Sequence, residues 1–167
     1  MKPGIDEHGI YQNADLGLSF TPPSGLRDVT AKAADASAAK DPNAIQLLLF
    51  ELSGPNSNDL DWRAFAVQSF ARSQVSASSD FEAQTRLART VIGSTAVETE
   101  PARKVTIRDR TYALSQYQRV HGAVTEYSHV YTTMIRGQML AFVFNANSTG
   151  NLEEMSEVLT TLKVKEK

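Results

Sequence analysis

The chain has 167 residues, of which 41% are hydrophobic and 22% charged, a composition typical of one ordinary globular domain rather than a disordered tail. Its 17 basic and 19 acidic residues give a formal net charge of −2, which argues against a nucleic-acid binder. The absence of cysteine excludes disulfides, zinc–thiolate sites and thiol catalysis.

The N-terminus, Met1-Lys2-Pro3-Gly4, is not followed by an apolar stretch, so we expect no signal peptide within this sequence. The protein is then either cytoplasmic or an exported domain that has lost a preceding signal. No apolar run approaches the roughly 18 residues of a membrane span. Residues 1–9 are predicted to be a flexible segment, residues 10–164 one domain and residues 165–167 a solvated tail.

Two short strands are predicted first, over residues 10–12 and 16–20, separated by the turn-forming residues 13–15. Residues 22–25 contain two prolines, which end the second strand. The alanine-rich stretch 26–40 favours an exposed helix, because alanine has the highest helix propensity.

The middle of the chain contains one clear strand and one ambiguous segment. Residues 44–52 are almost continuously apolar, which is typical of a strand covered on both faces. A polar loop follows over residues 54–61. Residues 62–70 fit either an amphipathic helix or a strand, and their propensity leans towards the helix.

A helix is predicted from Ser79 to about Ile92. Ser79 and Glu82 form a capping box, in which the serine hydroxyl accepts from the Glu82 amide while the glutamate reaches back. Gly93 ends this helix.

The hydrophobic period then changes to two, which predicts an antiparallel meander. Its strands are expected over residues 103–107, 111–121, 125–136 and 138–146, with a tight connection at 108–110 and turns at Gly122 and Gly137. A hairpin centred on Gly137 pairs Met134 with Leu140, Thr132 with Phe142 and Val130 with Phe144, and this face is predicted to be core.

A closing helix is predicted over residues 151–162. Its apolar residues recur at steps of three and four: Leu152, Met155, Leu159 and Leu162. Asn151 and Glu154 are expected to form a second capping pair.

The candidate chemical motifs are weak. A hairpin centred near Ala123 places His129 opposite Tyr117 and His121 opposite Thr125, but no histidine spacing supports a zinc site. Residues 56–61 carry several oxygen donors, yet a solvated turn explains them better than a calcium loop. No nucleophile or phosphate-binding motif is present. Asn147-Ser148-Thr149 matches a glycosylation acceptor and is interpreted as the approach to a helix.

One strand face stands out because aromatic and arginine side chains are the usual anchors of protein interfaces. It is predicted to carry Tyr117, Arg119, Tyr127, His129 and Tyr131. The alternative is that a helix covers this face and buries the tyrosines up to their hydroxyls.

The order of these elements resembles the PsbP-like superfamily, which includes an extrinsic photosystem II protein, the Mog-type Ran-binding factors and bacterial proteins of unknown role. The resemblance rests on the N-terminal hairpin leading into residues 18–23, the late strand 136–146, and Ser148 with the helix leading to residues 159–164. It covers the chain from about Ile10 to Val164, and its motifs are structural.

The resemblance implies an α+β fold, a three-layer α/β/α sandwich around a central antiparallel sheet, in which residues 62–70 form a strand. It implies a non-enzymatic role in binding or assembly and favours a periplasmic or secreted location. No metal-binding or Ran-contacting residues of the better-known members are matched, so no site residue is transferred.

We therefore expect a non-catalytic binding module with a protein partner and no cofactor. One alternative is a carrier of a small apolar ligand between sheet and helix, with a cavity lined by Phe142, Phe144 and Leu159. A second alternative is an unrecognised enzyme that clusters His129 with Glu126 or Asp109.

Overall fold

The computed structural model describes residues 3–32, 45–52 and 59–165, and they form two antiparallel sheets with helices on either side. The smaller sheet contains β1 (Gly4–Ile5), β2 (Tyr11–Asn13), β3 (Leu18–Phe20) and β11 (Lys163–Val164), in that spatial order. The larger sheet contains β4 (Leu26–Asp28), β5 (Ile45–Leu52), β6 (Arg63–Ala71), β7 (Val97–Ile107), β8 (Arg110–His121), β9 (Val124–Ile135) and β10 (Gln138–Ala146). Its spatial order is β4-β5-β6-β10-β9-β8-β7.

Helices cover both faces of the larger sheet. Helix α1 (Asp80–Ile92) packs on one face, where its Ala83 and Leu87 are buried. On the other face lie α2 (Thr149–Ser156), α3 (Val158–Thr161) and the smaller sheet, which share one core with the aromatic side chains of the larger sheet. The predicted α+β sandwich is therefore confirmed, with a small second sheet beside the terminal helices as an addition.

Several elements agree with their sequence signals. The apolar run forms β5, and the ambiguous segment 62–70 forms β6, a central strand with buried side chains. Leu18 and Phe20 of β3 are buried, as the alternation predicts. In the segment predicted to be flexible, Gly4 and Ile5 pair with β2.

The alanine-rich segment differs from its prediction. Leu26–Asp28 forms strand β4, paired with β5, and helical backbone begins only at Thr30. Pairing with a neighbouring strand overrides helix propensity at these residues, because propensity is the weaker term. Residues 33–44, which hold most of the predicted helix, lie outside the described residues.

The register predicted for the β9–β10 hairpin is wrong by one residue. The turn consists of Arg136 and Gly137, both with positive φ, so Met134 pairs with Met139 and not with Leu140. A two-residue turn of this type matches the twist of the flanking strands. Because side chains alternate across a sheet, the shift moves Leu140, Phe142 and Phe144 to the face opposite Met134, Thr132 and Val130.

The β8–β9 hairpin contains the same error. Gly122 and Ala123 form the two-residue turn, so His121 pairs with Val124, not with Thr125. His129 consequently lies opposite Gln116 rather than Tyr117. His121 and His129 are therefore on opposite faces of the sheet.

The closing helix is present but divided. It consists of α2 and α3, separated at Glu157, and its buried residues include Leu152, Met155 and Leu159 as predicted. The N-cap is Ser148, whose hydroxyl accepts from the Asn151 amide at 3.2 Å. The predicted pairing of Asn151 with Glu154 as the cap is therefore wrong, because the helix begins two residues earlier.

Candidate interaction face

The structure separates the five residues of the predicted interaction surface onto two faces of the sheet. Residues paired across antiparallel strands share a face. Tyr117 and Arg119 pair with Ser128 and Glu126 and lie on the α1 face, whereas Tyr127, His129 and Tyr131 lie on the other. The prediction of one shared face is wrong because it depended on the hairpin register.

Helix α1 covers the first two residues. Tyr117 is only 4% exposed, the guanidinium of Arg89 lies 5.3 Å from its ring centroid, and burial raises the pKa of its hydroxyl. Arg119 donates to the Ile92 carbonyl at the end of α1 at 2.6 Å. Both side chains serve the packing of α1 on the sheet, which is the alternative that the sequence left open.

Tyr131 is also internal. It is 9% exposed and packs edge-on against Tyr112 and Phe144, with ring centroids 6.1 Å and 5.8 Å apart. Burial raises its pKa, and it raises that of Tyr112 to about 12. The ring of Tyr131 is part of the core.

Tyr127 and His129 are both half-buried, and Tyr127 packs against the core, at the inner side of a more exposed surface. We call this surface the open face. It lies on three neighbouring strands, at the end of the sheet that contains the β8–β9 turn. Its residues are Val97, Glu100 and Arg103 of β7, Gln116, Gln118 and Val120 of β8, and Thr125, Tyr127 and His129 of β9. Val97 and Val120 are 63% and 66% exposed, and Tyr127 is half-buried.

A polar network fixes the inner border of the open face. Arg103 donates to Glu100 at 3.0 Å and to the Gln116 side-chain oxygen at 2.9 Å. The Gln116 amide nitrogen then donates to Nε2 of His129 at 3.1 Å, which places the imidazole proton on Nδ1. Burial, with a smaller contribution from the Arg103 charge, lowers the pKa of His129, so the ring is neutral at pH 7.

The proposed enzymatic cluster is not assembled. Glu126 lies on the α1 face and contacts His121 at 2.9 Å and Arg119 at 3.6 Å, so it cannot reach His129 through the sheet. Asp109 occupies the turn between β7 and β8, at the opposite end of β8 from the β9 turn. In the part of the chain that the structure describes, no three His, Asp or Glu side chains are grouped as metal ligands are.

The residues predicted to line a ligand cavity are packed against other side chains. Phe142 and Phe144 are fully buried, and their rings lie 5.8 Å from Phe20 and 5.2 Å from Phe65. Four surface clefts of about 180 to 390 Å³ are lined by other residues, apart from Leu159, which borders the smallest.

Two candidate motifs remain, the glycosylation acceptor at Asn147 and the candidate calcium loop at residues 56–61. The described residues of each take part in local structure. Asn147 is buried and its side-chain nitrogen donates to the Asp59 carbonyl at 2.7 Å, which is consistent with its interpretation as part of the helix approach. Residues 56–58 of the candidate calcium loop lie outside the described residues, and Asp59 accepts from the Asp61 amide in a turn.

Reasoning from the sequence missed Val97, Gln116, Gln118 and Val120 as members of one face with Tyr127. The missing signal was turn chemistry. Gly-Ala at 122–123 suits a two-residue turn with glycine first, and this turn sets the register that unites these residues.

Comparison with known proteins identifies the fold of this chain. No family model and no curated protein matches the chain. The solution structure of cyanobacterial PsbP from Synechocystis sp. PCC 6803 matches with a TM-score of 0.62 and 15% identity, over 99% of this chain and 98% of that one. The fold is PsbP-like.

Two other solved structures share it at lower similarity. A protein of Bacteroides thetaiotaomicron matches with a TM-score of 0.53 and 16% identity, and our chain spans 90% of its own length but only 46% of that protein. LpqN of Mycobacterium tuberculosis, described as involved in cell envelope biogenesis, matches with a TM-score of 0.50 and 10% identity over 89% of this chain and 83% of that one.

The described helices include none that combines the length and the apolar character needed to cross a membrane.

Proposed function

We propose that this PsbP-like domain is a non-catalytic binding or assembly module that docks a protein partner on the open face. The observation that carries the proposal is the exposure of Val97 and Val120 beside Tyr127. Apolar and aromatic side chains that share one uncovered face are the usual core of a protein–protein contact.

The border of the open face suits a protein partner better than a small molecule. The surface is a sheet face rather than a cavity, and the Arg103–Glu100 pair at its inner side is already hydrogen-bonded. Paired charges at a rim contribute to orientation and specificity more than to affinity. Burial of Val120 and the exposed part of Tyr127 would supply most of the favourable free energy.

We also propose that the chain is a bacterial member of the PsbP-like superfamily and acts outside the cytoplasm. Support comes from the resemblance of its motifs and from the similarity of its fold to LpqN, a protein involved in cell envelope biogenesis. Fractionation of the native host, followed by immunodetection of the protein, tests the location. Recovery in the cytoplasmic fraction alone would contradict export.

Docking on the open face is tested with two matched variants. Val120→Asp places a charge on the open face, and Leu60→Asp places one at a similarly exposed aliphatic side chain elsewhere, since Leu60 is 69% exposed. Each protein is used as bait in native-host lysate, the captured partner is purified, and its Kd is measured. We expect Val120→Asp and Tyr127→Ala to weaken binding at least tenfold and Leu60→Asp to leave it within twofold.

Circular dichroism and urea unfolding show whether each bait is folded. A partner that binds folded Val120→Asp as tightly as the wild type would refute docking on the open face.

A further inference from the structure

We propose that two copies of this chain form a symmetric dimer by antiparallel pairing of β7 with β7. The pairing joins the two larger sheets into one. It is argued from the edge of the sheet and not from the proposed function, although Val97, Glu100 and Arg103 of β7 also belong to the open face.

Strand β7 is a long edge strand. It has 11 residues and is the last strand in the order of the larger sheet, with β8 on one side and no described strand on the other. The opposite edge strand, β4, has only three residues. A long edge leaves a row of backbone N–H and C=O groups available for another strand.

The charges of β7 are arranged so that a second copy is attracted. Its acids, Glu98 and Glu100, precede Pro101, and its bases, Arg103 and Lys104, follow Ala102. A two-fold axis near residues 101–102 therefore brings the acidic half of one strand against the basic half of the other. An edge that carries a single sign of charge would repel its own copy.

The same complementarity holds on each face separately. A two-fold axis perpendicular to the sheet does not turn either copy over, so the α1 faces of the two copies lie on the same side of the joined sheet. Glu98 and Lys104 lie on the α1 face, opposite Tyr117 and Ala113. Glu100 and Arg103 lie on the other face, so each face carries one acid and one base. The side chains of Glu100 and Arg103 are 62% and 49% exposed, so each can turn from the other towards the second copy.

One register pairs the charges of the α1 face directly and sets those of the other face one residue apart, since Glu100 then lies opposite Ala102, next to Arg103 of the second copy. Placing Glu98 opposite Lys104 of the second copy also places Val97 opposite Val105, and these two valines share a face. The exposed Val97 then gains an apolar neighbour. Pro101 lies near the axis and has no N–H, and the bulges of β7 lie between Glu98 and Arg103, so the hydrogen bonds form on the two flanks.

The test exchanges the charges of the two halves. One variant carries Glu98→Lys with Glu100→Lys, and the other carries Arg103→Glu with Lys104→Glu. Sedimentation velocity measures the mass of each full chain at concentrations from about 1 to about 200 µM, so that a dimer with a micromolar Kd is detected. We expect the wild type to reach twice the mass of one chain, each variant to remain monomeric, and an equimolar mixture of the variants to form a heterodimer.

A matched control for the first variant combines Glu7→Lys with Glu157→Lys, which changes the net charge by the same amount at two exposed sites away from β7. This control is expected to dimerise like the wild type. A wild type that is monomeric at all concentrations overturns the proposal, as does a variant mixture that stays monomeric. The Kd comparison for the open face uses Val120 and Tyr127, which lie on β8 and β9, so a monomeric wild type leaves that comparison unchanged.

Discussion

His129 illustrates how a single side chain responds to its position in the sheet. Its Nε2 accepts from the Gln116 amide, and its burial lowers the pKa below the usual value of 6.5. Arg103 acts in the same direction, while Glu153 and Glu100 oppose it. The folded protein therefore holds this imidazole in the neutral form.

This arrangement predicts a loss of stability in mild acid. The unfolded chain binds the His129 proton at higher pH than the folded chain does, so its contribution to stability is present above about pH 6.5. That contribution is lost as the pH falls through the lowered pKa. Urea unfolding of His129→Gln should show a smaller decrease in the free energy of unfolding between pH 7.5 and 5 than the wild type.

Glutamine is chosen because it can still accept the hydrogen bond from Gln116. His8→Gln removes a histidine whose side chain is 73% exposed and should retain the wild-type pH dependence. If His129→Gln loses as much stability in acid as the wild type, the neutral buried histidine is not its source.

At the scale of elements, α1 is fixed at both ends by local contacts. The Ser79 hydroxyl accepts from the Glu82 amide at 3.1 Å, as the capping box predicts. Glu82 reaches back one residue further than predicted, to the hydroxyl and amide of Ser78, which lower the pKa of its carboxyl. Gly93 ends the helix with a φ of 90°, a value that favours glycine.

Ser79→Ala should destabilise the protein by about 1 kcal/mol, because the amide of Glu82 loses its acceptor at the helix N-terminus. Thermal or urea unfolding measures this loss. Ser94→Ala, which changes an exposed serine just after the helix, is the control and should cost less than about 0.5 kcal/mol. Equal effects of the two substitutions would contradict the role of the cap.

The strands show what a local sequence pattern predicts and what it does not: it predicts the strands but not their register. The run 44–52 and the alternation after residue 102 identify strands, but β10 is buried on both faces, with Met139, Leu140 and Ala141 fully covered. A hydrophobic pattern cannot choose a register when both faces are apolar. The turn residues Arg136-Gly137 decide it, through positive φ at two successive positions.

At the scale of the whole molecule, Arg136 joins the two sheets. Its guanidinium donates to the Asp15 carbonyl at 2.8 Å, 121 residues earlier in the sequence, and to the Lys165 carbonyl at 2.7 Å, 29 residues later. Gly17 makes room for this contact: a Cβ at that position would collide with the guanidinium and lie 2.8 Å from the Lys165 oxygen.

Gly17→Ala should therefore destabilise the protein more than Gly25→Ala. Both glycines have positive φ, of 65° and 77°, so each substitution should cost roughly 1 to 2 kcal/mol in backbone strain. Gly25 has open space around its Cβ position, whereas alanine at position 17 must also displace Arg136, which should add about 1 kcal/mol. Urea unfolding measures the difference, and equal losses would show that the Arg136 contact adds nothing.

The sequence by itself determined most elements of this protein, including the strands after residue 102, the capped helix α1 and the apolar stripe of the closing helix. These features depend on local quantities: a repeat of two or 3.6 residues, a cap residue and a glycine after a helix. Resemblance of the whole order to PsbP-like proteins then gave the α+β sandwich.

Tertiary structure alone decided which side chains meet. The smaller sheet depends on pairing Lys163 with Ser19, a contact between the two ends of the chain that no local pattern encodes. The open face depends on the registers of two hairpins, so Tyr127 and His129 could be grouped with Val120, and separated from Tyr117, only once the sheet was assembled. A shift of one residue exchanges the faces of a strand, and this is why a correct list of strands still gave an incorrect interaction surface.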